Sequence, residues 1–150
     1  MTTTVAFEDL KSLAGGSLGT SRWLDVDQTR INTFADATDD HQWIHVDPER
    51  AKDGPFGAPI AHGYLTLSLV IPLWTELLDV TGVTTKINYG LNKVRFPAPV
   101  PAGSRIRLSG TLADVSDITG GAQVTADLVV EIENAEKPAC VLQGIFRFLR

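Results

Sequence analysis

The sequence feature that most constrains the fold is an apolar segment, residues 62–74, followed by a half of the chain that favours strands. The segment is apolar on nearly every face, which predicts a helix buried on all sides. Pro72 is expected to kink that helix or to begin its end. Residues 105–112 and 124–132 alternate between apolar and polar side chains, which is typical of strands with one buried face.

Two further strands are predicted over residues 86–96 and 139–149, and a turn over residues 119–121. One buried helix followed by about four long strands predicts an α+β domain in which an antiparallel sheet curls around the helix. The exposed edges of such a sheet favour pairing of strands between two chains, and hence a dimer.

The first part of the chain predicts a short helix, a strand and a second helix that ends in an acidic stretch. The short helix spans residues 7–13 and the strand residues 21–26, and the second helix has Asp27 as its N-cap with Ile31, Phe34 and Ala35 on its apolar side.

Composition limits the class of protein. A chain of 150 residues predicts one domain, residues 1–150. The formal net charge of −5 argues against a nucleic-acid partner bound through bulk charge. Cys140 is the only cysteine, which fits a reducing compartment. No signal peptide precedes the domain, and no apolar segment reaches the roughly 20 residues of a membrane span, so we expect a soluble, cytoplasmic protein.

Residues 36–47 contain four aspartates and two of the three histidines. In a continuous helix, Asp40 and His45 would lie about 140° apart around the axis. They converge only if the helix ends near Asp39 and the chain turns, with a short extended piece that directs Trp43 and Ile44 into the core. Asp47 followed by Pro48 then predicts the start of a new helical turn. A carboxylate beside an imidazole is suited to acid–base catalysis.

Other interpretations of this stretch stay open. His45 is equally well explained as a structural histidine beside a solvated acidic turn. A metal site is less favoured: His41 and His45 have suitable spacing, with Asp40, Asp47 and His62 as further ligands, but the end of the helix weakens that geometry. Nucleophilic catalysis is least favoured, because no Gly-x-Ser-x-Gly motif is present and Cys140 lies in a predicted strand.

Ala61-His62-Gly63 opens the apolar helix. The first backbone N–H groups of a helix have no partner inside it, so the Gly63 amide is a candidate donor to a developing oxyanion. His62 either contributes to such a site or only caps and packs the helix.

Together these motifs resemble the MaoC-like (R)-specific enoyl-CoA hydratases. The resemblance rests on Phe34-Ala35-x-x-Thr38-Asp39-Asp40-His41-Gln42-Trp43-Ile44-His45-Val46-Asp47, then Ala61-His62-Gly63, Val94-Arg95-Phe96-x-x-Pro99-Val100 and Pro101-x-Gly103. It implies a hotdog fold, a homodimer with acyl-CoA sites near the subunit interface, and Asp40 and His45 as the catalytic pair. Two positions depart from the family pattern: Asp39 replaces a usual glycine, and Gln42-Trp43 replaces Asn-Pro. Trp43 then either shapes acyl-chain selectivity or packs in the core.

The reaction implied is the reversible hydration of a trans-2-enoyl-CoA to an (R)-3-hydroxyacyl-CoA, without a metal or redox cofactor. Gly63 is expected to polarise the thioester, and Lys93 and Arg95 to bind the CoA diphosphate, ahead of Lys86, Arg105 and Arg107. The other expected substrate contacts are His62, Tyr64 and Asn88, with Leu65 and Leu69 as possible tunnel walls. Four alternatives stay open: a hydroxyacyl-carrier-protein dehydratase, a hotdog thioesterase, a non-catalytic acyl-CoA-binding module and a metal-binding regulatory protein.

Overall fold

The computed structural model describes all 150 residues and contains eight strands, four α-helices and one 3₁₀ helix. The strands are β1 (Thr3–Ala6), β2 (Ser17–Thr20), β3 (Leu24–Val26), β4 (Leu78–Thr81), β5 (Thr85–Arg95), β6 (Ser104–Ile118), β7 (Gly121–Ile132) and β8 (Cys140–Leu149). The helices are the 3₁₀ helix Phe7–Leu13, α1 (Gln28–Thr38), α2 (Trp43–Val46), α3 (Pro48–Ala51) and α4 (Gly63–Leu77).

One antiparallel sheet dominates the molecule, with strand order β2-β6-β7-β8-β5 and with β3 also paired to β6. Side chains of β6, β7 and β8 alternate between the core and the outer face, as their sequence predicts. Their inner face packs against α4, where Trp74 stacks on Phe146 with ring centroids 4.4 Å apart. The predicted α+β architecture, a sheet around one long helix, is therefore confirmed. A parallel pair of short strands, β1 and β4, was not anticipated.

Helix α4 has one exposed side, so the prediction that it is buried all round is wrong for the single chain. Tyr64, Ser68, Pro72 and Thr75 are exposed, and their spacing of three and four residues places them in one stripe. Pro72 neither ends the helix nor begins its end, because the helix continues to Leu77. At this position the proline ring faces outward rather than into the packed core.

The edge strand β5 pairs with β8 alone, and every residue of β5 except Val94 is exposed. Two cavities lie between β5, β8 and the α4 segment 67–75, so this bare edge adjoins the exposed stripe of the helix. The chain therefore has one continuous region that its own elements leave uncovered.

Helix α1 begins and ends where the sequence predicts. The Asp27 carboxylate accepts the Arg30 N–H at 2.8 Å, and the helix ends at Asp39, whose φ of 60° is left-handed. The piece after the turn is not extended as expected, since Trp43–Val46 forms a helical turn. Asp47 caps α3 with Pro48 at its first position, as predicted. None of the helices combines the length and apolar character needed to cross a membrane.

Candidate active site

Three polar side chains meet where α1, α2 and α4 approach one another. Asp40 lies in the turn after α1, His45 on α2, and His62 immediately before α4. One ligand atom of each side chain lies within 4.8 Å of the others. The helix end at Asp39 produces this convergence, because it turns the chain before Asp40. The structure thus brings together the predicted pair, Asp40 and His45.

His45 is held in one tautomer. Its ring is 7% exposed, and its Nδ1 lies 2.7 Å from the Ile60 carbonyl oxygen, which only accepts hydrogen bonds. Nδ1–H therefore donates to Ile60, and Nε2 keeps a free lone pair. Burial lowers the pKa of His45 and is the largest influence on it; the Ile60 carbonyl opposes this lowering, His62 adds to it, and the Asp40 carboxylate opposes it. A neutral imidazole with a free Nε2 can accept a proton from water.

The Asp40 carboxylate is exposed and has few partners in the protein. Its one hydrogen bond is a long contact of 3.4 Å from the Gln42 N–H. A water molecule bonded to two acceptors spans separations of roughly 4–5 Å, which matches the spacing of this site. Asp40 and His45 are therefore placed to hold one water between them.

His62 is the most enclosed member of the site, at 2% exposure. Its Nε2–H donates to the Asp40 backbone carbonyl at 3.0 Å, and its ring stacks on His45 with centroids 3.9 Å apart. Its Nδ1 is buried without a partner. The expectation that His62 contacts substrate is not supported by this burial, because the ring has no open face toward a ligand.

Gly63 offers an unused donor beside this group. It is the first residue of α4, and its N–H takes part in none of the backbone hydrogen bonds. A Cβ added at Gly63 would lie 3.2 Å from two ring carbons of Phe96, so a side chain there requires the Phe96 ring to move by a few tenths of an ångström. The free amide and the small residue fit the approach of a carbonyl oxygen.

The other proposed metal ligands lie apart. His41 pairs with Asp36 at 2.9 Å on the surface, and this hydrogen bond raises the pKa of His41. The Asp47 carboxylate is occupied in capping α3 through the Arg50 N–H. The stacked rings of His45 and His62 are tilted by only 25°, so their in-plane lone pairs cannot converge on an ion about 2 Å from each.

The expected acyl contacts divide into cavity residues and core residues. Asn88 lines a cavity of about 400 Å³ between α4, β5 and β8, whereas Leu65 and Leu69 belong to the core. Tyr64 is 73% exposed and meets the edge of Phe96. Sequence reasoning missed the main apolar walls of the cavity, which are Leu67, Val70, Ile71, Leu142 and Phe146.

Lys93 and Arg95 do not face this cavity. In the β5–β8 register they lie opposite Gln143 and Val141, which alternate with inward-facing residues of β8 and so point to the outer face. Asn88 lies opposite Phe146 and faces inward. Two irregularities in β5 set this register, and the sequence pattern does not reveal them. Lys93 and Arg95 therefore lie outside this cavity, and their binding of the CoA diphosphate stays a prediction.

The two departures from the family pattern have local explanations. Asp39 takes a left-handed conformation, which glycine adopts most easily and aspartate tolerates better than most residues. Trp43 lies under the Arg50 guanidinium, 4.3 Å from its ring centroid, and against Gly54. These contacts assign Trp43 to packing, away from the cavity that Asn88 lines. Cys140 is fully buried as expected, and burial raises the pKa of its thiol to about 11.

Comparison with known proteins agrees with this geometry. Residues 9–134 match the family described as MaoC like domain. The chain is 52% identical to 3-hydroxyacyl-thioester dehydratase Z of Mycobacterium tuberculosis over 150 residues, 99% of each chain.

Solved structures share the fold. The (R)-hydratase from A. caviae involved in PHA biosynthesis has a TM-score of 0.69 and 21% identity, over 89% of this chain and 94% of the other. The ChsH1–ChsH2 complex from Mycobacterium tuberculosis has a TM-score of 0.72 and 20% identity, over 93% of this chain and 99% of the other. The predicted hotdog fold is confirmed.

Proposed function

Because the chain belongs to the MaoC-like domain family and is a hydro-lyase of the MaoC type, we propose that it reversibly hydrates trans-2-enoyl-CoA to (R)-3-hydroxyacyl-CoA. One observation carries this proposal. A free Asp40 carboxylate and a neutral His45 lie within bridging distance of one water, beside the unused Gly63 N–H.

The proposed reaction adds water across the C2=C3 bond. Asp40 and Nε2 of His45 hold the water, and the pair removes one proton as the oxygen bonds to C3. Electron density from the double bond moves to the thioester oxygen, which accepts the Gly63 N–H. The pair then returns the proton to C2 as the carbonyl re-forms. Either member can act as the formal base, since two interacting groups titrate as a unit.

All of this chemistry uses side chains and one backbone amide, so we propose that no metal or redox cofactor takes part. Treatment with a chelator is expected to leave the hydration rate unchanged. A rate that falls with chelation and recovers with a divalent cation would contradict this part of the proposal.

The charge pattern favours CoA over a carrier protein as the thioester carrier. An acidic carrier requires a cluster of unpaired basic residues on the surface. Seven of the 13 Lys and Arg side chains are engaged in ion pairs with carboxylates of this chain. They are Lys11, Arg22, Lys52, Lys86, Arg105, Arg107 and Arg150. The other six basic side chains are spread over α1, α3, β5, β8 and the loop after β7, and no single element carries more than two of them.

We also propose that the active form is a homodimer joined along β5. This strand is bare on its outer edge, and Ile87, Tyr89 and Leu91 are exposed apolar residues on it. Exposed apolar side chains beside unpaired strand groups favour the pairing of two copies. The cavity residues Asn88 and Leu91 belong to the same strand, so a second copy would cover this cavity, which we propose receives the acyl chain.

The decisive experiment follows the absorbance of the conjugated thioester of crotonyl-CoA. Wild-type protein is expected to hydrate it to the (R)-3-hydroxy product. Asp40→Asn and His45→Gln should each lose about 10²- to 10⁴-fold in rate, the range for removed acid–base groups. Asp36→Asn and His41→Gln are matched controls from the neighbouring surface pair and should retain the wild-type rate.

Three outcomes would contradict the proposal. Wild-type turnover in the His45→Gln variant would show that Asp40 and His45 are not the catalytic pair. An (S) product would remove the stereochemical assignment. Turnover with an enoyl-carrier-protein but with no enoyl-CoA of any chain length would replace the proposed carrier.

A further inference from the structure

We infer that His62 is a positioning residue, which fixes the Asp40 turn, the His45 ring and the Gly63 amide relative to one another. This inference rests on the proposed function, because it assigns those three groups to one reaction. His62 itself does not touch the reacting atoms. Its role follows from three separate contacts.

The first contact anchors the turn that carries Asp40. Residues 39–41 make no backbone–backbone hydrogen bond. The other hydrogen bonds of the turn are local, from the Gln42 N–H to the Asp40 carboxylate and between His41 and Asp36. The His62 Nε2–H bond to the Asp40 carbonyl is therefore the one hydrogen bond that joins this turn to the start of α4.

The second contact supports the general-base candidate. The His62 ring stacks on the His45 ring with centroids 3.9 Å apart, and the Ile60 carbonyl oxygen accepts the hydrogen bond from Nδ1–H of His45. Phe34 of α1 also packs against the His62 ring, with centroids 4.8 Å apart and the ring planes tilted by 56°. The stack fixes the plane in which the free Nε2 of His45 points.

The third contact is covalent. His62 precedes Gly63 and is the N-cap residue of α4, with an extended backbone and a carbonyl that accepts the Thr66 N–H. The imidazole that holds the Asp40 turn therefore belongs to the residue directly before Gly63, whose amide is proposed to bind the thioester oxygen. A shift of either group would change the distance between the bound water and the C3 atom.

A packing role alone does not explain a histidine here. The Nδ1 atom is buried and has no hydrogen-bond partner, which is unfavourable for a polar atom. A phenylalanine ring would fill the same space without that unpaired atom. What phenylalanine cannot supply is the N–H donor to Asp40, so the donor is the property that this position requires.

Two variants separate positioning from packing. His62→Phe keeps a ring of similar size and removes the donor, whereas the amide of His62→Gln can replace the Nε2–H. His62→Phe is expected to lower kcat by about 10- to 100-fold with little change in KM, since a misplacement of about 1 Å costs about this much. Its unfolding midpoint should match or exceed that of the wild type. His62→Gln should recover most of kcat.

The outcomes distinguish this inference from the proposed function. A wild type that hydrates no enoyl-CoA overturns the proposed function. An active wild type with an equally active His62→Phe variant overturns the inference alone. The inference also fails if His62→Gln is folded but as slow as His62→Phe.

A readout independent of turnover tests the contact itself. Long-range ¹H–¹⁵N correlation spectra of the three histidines should show His62 with its proton on Nε2 and His45 with its proton on Nδ1. A His62 ring that carries its proton on Nδ1 at neutral pH would overturn the inference, whatever the activity.

Discussion

At the scale of single residues, Gly63 lies so close to the ring of Phe96 that an added side chain would make a contact tighter than is usual. Gly63→Ala adds a carbon 3.2 Å from that ring, so the ring must move beside the proposed oxyanion donor. Alanine is a better helix former by up to about 1 kcal/mol, so stability should not fall much. We expect kcat/KM with crotonyl-CoA to fall by about tenfold or more.

The double variant Gly63→Ala/Phe96→Leu serves as the control, because leucine leaves room for the added carbon. It should recover part of the activity relative to Gly63→Ala, with Phe96→Leu measured alongside. A Gly63→Ala variant of wild-type activity would argue against the Gly63 amide as the donor.

Asp39 is strained by the same turn that brings Asp40 to the site. Its φ of 60° disfavours a residue with a Cβ, so Asp39→Gly is expected to raise the free energy of unfolding by about 1 kcal/mol. Ala37→Gly is the control, because residue 37 lies inside α1. Glycine at that position should lower the free energy of unfolding by about 1 kcal/mol. Urea unfolding of both variants checks the prediction, and a destabilised Asp39→Gly would contradict it.

His45 and His41 should affect acid stability with opposite signs. Burial lowers the pKa of His45 below 6.5, so the unfolded chain takes up a proton there before the folded chain does. The free energy of unfolding therefore falls as pH drops from 6.5 towards the lowered pKa. The Asp36 hydrogen bond raises the pKa of His41, so its stabilisation is present below pH 6.5 and is lost as pH rises through the raised pKa.

Unfolding by urea at a series of pH values tests both signs. His45→Asn, whose amide can still reach Ile60, should weaken the loss of stability below pH 6.5. His41→Asn should remove the fall in stability that the wild type shows as pH rises from 6.5 through the raised pKa of His41. A His45→Asn variant with the wild-type pH dependence would show that burial of this ring does not cause the loss of stability below pH 6.5.

At the scale of elements, α4 and β8 together set the length of the cavity that we propose binds the acyl chain. Ile71, Asn88 and Phe146 line both the cavity of about 400 Å³ and a second one of about 210 Å³ further along the helix. Ile71→Ala should join the two cavities and admit about two more methylenes. At about 0.8 kcal/mol for each buried methylene, kcat/KM for the longer enoyl-CoA should rise about tenfold relative to crotonyl-CoA.

Ile118→Ala is the matched control, since Ile118 lies at the end of β6 by the hairpin turn. It should leave the ratio of long-chain to short-chain kcat/KM unchanged. An Ile71→Ala variant with the wild-type ratio would mean that the acyl chain does not follow α4.

At the scale of the whole molecule, the bare edge of β5 predicts dependence on a second copy. Leu91→Lys places a charge among exposed apolar residues of that edge, and it should shift the protein from dimer to monomer in sedimentation equilibrium. Hydration activity should fall in parallel, because the cavity shares this strand.

Thr20→Lys adds the same charge at the opposite edge of the sheet, on β2, and should change neither property. A wild type that sediments as a monomer with full activity would contradict the proposed dimer.

Elements whose signals are local could be predicted from the chain alone. The alternation of β6, β7 and β8, the caps Asp27 and Asp47, and the end of α1 at Asp39 all follow from side-chain period and capping chemistry. The Asp40–His45 pair could also be predicted, because it lies between the end of one helix and the start of another.

Features that depend on contacts between distant segments could be seen only in the folded molecule. The exposed stripe of α4 depends on where the sheet stops covering the helix, and the outward direction of Lys93 and Arg95 depends on irregularities in the β5 register. His62 bonds to Asp40, which is 22 residues away in the sequence, and no local sequence pattern predicts a contact over that separation. Local periodicity fixes which face of an element is apolar, whereas only the packed fold fixes which groups that face meets.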